Sequence, residues 1–167
     1  MNQQHMLALW ALGRLPSEEL PRIAAEWLAD GIDTPAIREL AGISSPEMPD
    51  VGPLFSKALS STHLRELTRD EALRTIAQQY AQEIVEGKVT PHEGARKVWK
   101  EVNLESGCDS LLSPFIGAAS ELEDLPDRTE KDGRDRETYR RQLNDLIISA
   151  ARALLKTEPN QSRDPAV

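Results

Sequence analysis

Two pairs of carboxylates in this sequence have a spacing that chemistry can use. Glu83 with Glu86, and Glu121 with Asp124, each stand three residues apart, so on a helix both members of a pair share a face. Carboxylates arranged in this way bridge hard divalent cations, and a bridged magnesium ion would equip a helical scaffold to hydrolyse the pyrophosphate bond of a nucleotide. Both pairs stand close to a helix-ending residue, Gly87 or Pro126, and no cluster of Lys or Arg accompanies them to hold phosphates. Solvated acids at helix ends are the commoner reason for such pairs, so a metal-dependent nucleotide pyrophosphohydrolase built on Glu83, Glu86, Glu121 and Asp124 is the alternative reading.

Other reactive residue types lead nowhere. His92 and Glu93 open the zinc-protease pattern, but the position where the second histidine must stand is Arg96, and a cation cannot replace a metal ligand. His5 and His63 lack a second ligand at metal spacing. Cys108, the single cysteine, has no local partner that would make it a nucleophile. No cofactor motif is present. TPAIRELAGISS could open a helix-turn-helix, yet the stretch that follows, SPEMPDVGPLFSKAL, carries Glu47 and Asp50 where phosphate-binding cations are needed. No catalytic constellation emerges, and an enzyme is not expected.

The densest chemistry is acidic. Glu121, Glu123, Asp124 and Asp127 lie within seven positions, and Glu105 and Asp109 precede them. Clustered carboxylates steer association with a cationic partner and pair with its Lys and Arg. Glu47 and Asp50 form a second candidate surface. The whole chain agrees, since 28 Asp and Glu against 20 Lys and Arg in 167 residues give a net charge of −8. Such a field repels nucleic acids and anionic membranes and suits a basic protein.

The elements that must carry these residues read as helices throughout, because apolar residues recur at a helical period and no stretch alternates with period two. Ser17 would cap a helix over 16–30 with Leu20, Ile23, Ala24, Trp27 and Leu28 inward, stopped by Gly31. Thr34 and Pro35 start a short helix with Ile37, Leu40 and Ala41 buried. The Pro-, Gly- and Ser-rich stretch 42–53 reads as a loop that bends into a short helix over 54–59. Thr68 with Glu71 makes a capping box ahead of Leu73, Ile76, Ala77, Tyr80 and Ile84. Gly87 ends that helix, and Thr90, Pro91 and Glu93 open another with Ala95, Val98, Trp99 and Val102 inward. After a break at Gly107, residues 111–122 read as an apolar helix. LPDRTEKDGRDR reads as a flexible connection to a last helix lined by Tyr139, Leu143, Leu146, Ile147, Ala150 and Leu154.

Trp10, Trp27 and Trp99 all stand on apolar stripes and are expected in the core. The fold expected is all-α, a single-domain bundle of about seven to eight helices built from antiparallel hairpins, covering 1–156 and followed by a disordered tail, 157–167. Gly31 to Pro35 and Gly87 to Pro91 repeat one corner chemistry, as a duplicated hairpin or two independent uses of the same caps would. The N-terminal apolar run is too short for a membrane span and lacks a basic leader, and one cysteine gives no intramolecular disulfide, so a cytoplasmic chain is expected.

Two segments, WLADGIDTPAIRELAGI and AQEIVEGKVTPHEGARKVWKEV followed by FIGAASELEDLPDR, resemble small all-helical bacterial proteins, mostly without an assigned role. Some of these are similar to immunity proteins encoded beside polymorphic or secreted toxins. The resemblance implies a binding protein that occludes a cognate basic toxin of nuclease type. Its carboxylates would stand in for the phosphates that a nuclease surface meets, at Glu121, Glu123, Asp124 and Asp127, with Glu47 and Asp50 as the second surface. A non-toxin adaptor remains open beside it.

Overall fold

A computed structural model describes residues 2–103, 110–128 and 136–157. Among them every regular element is helical: α1 (Gln3–Ala11), α2 (Glu19–Ala29), α3 (Pro35–Ala41), α4 (Met48–Ser60), α5 (Arg69–Val85), α6 (Pro91–Lys97), a π-helical segment (Val98–Asn103), α7 (Ser113–Arg128) and α8 (Arg136–Lys156). The all-α expectation and the number of helices hold. No helix among the described residues is long and apolar enough to cross a membrane. Glu105, Gly107, Cys108, Asp109, the connection over 129–135 and the tail from 158 lie outside the described residues.

The chain divides into two compact units, Leu9–Leu67 and Met1–Ala8 with Thr68–Val167. In the first, α2 packs on α3 and α4, and α3 packs on α4. Phe55 is fully buried, its ring 4.7 Å from that of Trp10 and 5.4 Å from that of Trp27. Thr34 caps α3, its hydroxyl accepting from the Ile37 amide at 3.3 Å, and Gly31 turns the corner before it at φ 86°.

Three local expectations need correcting in this unit. Ser17 does not cap α2: the residue at the N-cap is Glu18, whose backbone is already helical and whose side chain makes no capping bond. In α3 the third buried residue is Ala36 in place of Ala41. The stretch read as a loop is the first half of α4, which begins at Met48 and runs through Pro53. Pro53 has no N–H for the Pro49 carbonyl and costs the helix about 3 kcal/mol. Val51, Phe55, Ala58 and Leu59 are all fully buried on that helix, and at about 1.5–3 kcal/mol for each large apolar side chain their burial outweighs the proline.

In the second unit α8 packs on α5, α6 and α7, while α6 and the π-helical segment pack on α5 and α7. Both capping boxes form. The Thr68 amide donates to Glu71 Oε2 at 2.8 Å and the Glu71 amide to Thr68 Oγ1 at 3.3 Å; Thr90 and Glu93 repeat this at 3.2 Å in each direction. Gly87, at φ 70°, ends α5. Ala72, Leu73, Ile76, Ala77, Ala81 and Ile84 are the buried stripe of α5. Tyr80 stands half-buried beside that stripe and donates to Glu101 at 2.5 Å.

Ala95, Val98 and Val102 are buried as expected, whereas Trp99 is half-buried, because the widened π-helical turn keeps Val98 and Val102 inward and rotates Trp99 aside. The helix expected to stop at Leu122 continues to Arg128, through Pro126, with Leu125 buried at 6 % exposure holding its last turns to the core. On α8 the buried set is Leu143, Ile147, Ala151 and Leu154. Leu146, expected inward, is 48 % exposed; the stripe steps by four, four and three, and Leu146 stands to one side of it. Gln78 Nε2 donates to the Leu154 and Thr157 carbonyls at 3.4 and 3.0 Å and satisfies the end of α8.

Candidate partner-binding surfaces

The expected acidic patch sits on the second half of α7. At 100° per residue, Asp124 stands opposite Phe115 on α7 and Glu123 to one side of it, and both are exposed. Neither has an ion pair or hydrogen bond among the described residues. Glu121 differs: it is half-buried and accepts a hydrogen bond from the Tyr139 hydroxyl, which ties α7 to α8. Asp127 belongs to the same helix, and its side chain lies outside the described residues.

Glu47 and Asp50 stand at the start of α4, as N-cap residue and in the first turn. Carboxylates there complement the partial positive charge of a helix N-terminus. Both are exposed and unpaired among the described residues, and Met48 between them is 39 % exposed. α3, a turn and α4 do succeed one another, but Lys57 is the only cation of α4, in its last turn, so the acidic opening faces away from any phosphate role.

The four carboxylates of the hydrolase alternative are not brought together as a metal site. No group of three or more His, Cys, Asp or Glu side chains gathers at ligand distance among the described residues. Glu86 pairs with Lys88 at 2.7 Å and accepts from Gln82 at 2.6 Å, and these two hydrogen bonds, Lys88 first, hold its carboxyl below the ordinary range. Glu83 is 4.0 Å from Lys97 and accepts from Gln79 at 3.5 Å.

Beside Glu83 lies His5, whose Nδ1 is buried without a hydrogen-bond partner. Burial pushes its imidazole pKa down from the usual 6.5, against the opposing pull of Glu83 and a hydrogen bond to Gln79. A histidine whose folded pKa is depressed contributes stability that is fully present above 6.5 and is lost as pH falls from there through the folded pKa. Replacing His5 with Gln is therefore expected to flatten the acid-side decline of stability, measured by urea unfolding on either side of pH 6.5. An unchanged pH slope in that variant would show that His5 stays solvated.

Among the clefts of this unit, two are lined in part by polar side chains. One, of about 380 Å³, is lined by His5 and by Gln78, Gln79 and Gln82 of α5, all three of which are already engaged with the end of α8, Glu83 and Glu86 in turn. The other, about 520 Å³, lies among the opening of α6, Leu122 and Leu125 of α7, and Arg136, Arg140 and Asn144 of α8.

No family model, characterised protein or solved structure matches the chain. Its function must be read from the surfaces themselves. The second cleft escaped the sequence reading, because Asn144 stands between Leu143 and Asp145 and nothing local separates it from the other polar residues of α8.

Proposed function

We propose that this protein binds a basic partner protein and neutralises it by stoichiometric occlusion, the partner being a bacterial toxin of nuclease type. The observation that carries the reading is the state of the expected carboxylates. Glu123 and Asp124 on α7, and Glu47 and Asp50 on α4, are exposed and make no ion pair among the described residues, whereas Glu19, Glu26, Asp33 and Glu137 are held by neighbouring arginines. A free carboxylate can meet a partner's Lys or Arg without first losing an internal ion pair. The net charge of −8 steers a basic protein toward the surface. Exposed Met48 supplies an apolar contact at the centre of the α4 surface.

The protein would act in place of a substrate, its carboxylates occupying the cationic groove in which a nuclease holds phosphates. Glu123→Lys with Asp124→Lys is expected to weaken binding to the basic toxin encoded next to this protein by at least about tenfold, about 1.4 kcal/mol, and to reduce the salt dependence of association. Toxin activity should return in the same titration. The reading fails if the purified toxin keeps full activity in excess wild-type protein. It also fails if charge reversal on α7 and on α4 both leave the affinity unchanged.

A further inference from the structure

The cleft between α6, α7 and α8 has the build of a small-ligand site, and its chemistry is opposite in sign to that of the chain. We propose that it binds a small organic anion, a carboxylate or phosphate carried on a flat apolar body. At about 520 Å³ it has the size of such sites. Leu122 and Leu125 give it an apolar wall, and no Asp or Glu lines it among the described residues, in a protein whose net charge is −8.

Three of its polar groups, on α6 and α8, keep hydrogen-bonding capacity for a ligand. His92 Nε2 is buried and has no hydrogen-bond partner. Asn144 is half-buried, and its amide makes no hydrogen bond among the described residues. Arg140 reaches Glu137 through Nη2 alone, at 2.7 Å, which leaves the rest of its planar fork for an incoming anion. Arg136 adds a second positive charge to the same wall. A cation finds no carboxylate ligand among the described lining residues, and a polyanion meets the repulsion of the whole chain. A single small anion satisfies the arginine, the orphaned imidazole nitrogen and the amide together, while its apolar part covers the leucines.

The experiment uses the full chain with four probes: phenyl phosphate, benzoate, benzyl alcohol and inorganic phosphate. Saturable shifts of the Asn144 side-chain amide and the His92 ring in NMR titrations are expected with the two aromatic anions, weaker binding with inorganic phosphate, and none with benzyl alcohol. Arg140→Gln should weaken the anions by about tenfold. Glu137→Gln, which frees the Arg140 fork, should tighten them, and circular dichroism should show both exposed-site variants folded. A difference between the two aromatic anions tells phosphate from carboxylate preference within the proposal. The absence of saturable shifts at millimolar anion, equal binding of benzyl alcohol, or an affinity indifferent to Arg140→Gln would overturn it.

Discussion

Phe55→Ala is expected to cost the Leu9–Leu67 unit about 3–5 kcal/mol, the range for deleting a fully buried aromatic ring. Phe55 is completely enclosed and packs against Trp10 and Trp27 at centroid separations of 4.7 and 5.4 Å. Its loss removes the transfer energy of the ring, the aromatic contacts on two sides, and leaves a cavity that three short helices must collapse around. Domains are stable by only about 5–15 kcal/mol, so the variant should sit near the edge of unfolding. Urea unfolding followed by tryptophan emission, in a Trp99→Phe background so that Trp10 and Trp27 report, measures the loss. Phe55→Leu should lose much less, because most of the volume remains. A cost below about 1 kcal/mol for the alanine variant would mean that the cluster does not organise this unit.

The elements legible in the sequence are those whose ends are set by local chemistry. Thr34, Thr68 and Thr90 each accept from the amide three residues on, and Gly31 and Gly87 take the left-handed conformation that stops a helix. A cap depends on four or five consecutive residues, so its signal survives without knowledge of the fold. Pro53 and Pro126 misled for the opposite reason: proline reports a local cost, while Phe55, Leu59 and Leu125 supply a tertiary gain that a local reading cannot weigh. Leu146 shows the same limit on α8, since several apolar residues compete for one face and only the neighbouring helices choose among them.

The acids of the candidate surface were legible as a composition, because like charges that crowd α7 and the start of α4 stand out in any reading of the chain. Their availability was not. Glu121 is engaged by Tyr139, eighteen positions away in sequence, whereas Glu123 and Asp124, its close neighbours, stay exposed. That distinction between an acid that holds two helices together and acids that can meet a partner depends on how α7 and α8 pack. The cleft is a tertiary feature of the same kind, since His92, Leu125 and Arg140 come from three helices and share no local pattern.

Gly94→Val should strongly destabilise the contact between α5 and α6. A Cβ at this buried position would lie 2.3 Å from Cγ1 and 2.6 Å from Cδ1 of Ile84, and 3.2 Å from Cγ2 of Val89, so even alanine forces a buried neighbour to move. Overpacking of this kind costs about 1–3 kcal/mol, and the bulkier valine should reach or exceed the upper end. The better helix propensity of alanine returns at most about 1 kcal/mol to Gly94→Ala, and that of valine less. Ile84→Ala by itself should cost about 2–5 kcal/mol through the cavity it leaves. In the double variant the new side chain enters the space that Ile84 vacates, so the combined loss should fall short of the sum by about 1–3 kcal/mol. Urea unfolding of the four proteins in this cycle reads the coupling directly. Additive losses would mean that α5 and α6 part to admit the side chain, and that the absence of a Cβ at Gly94 does not set how closely they pack.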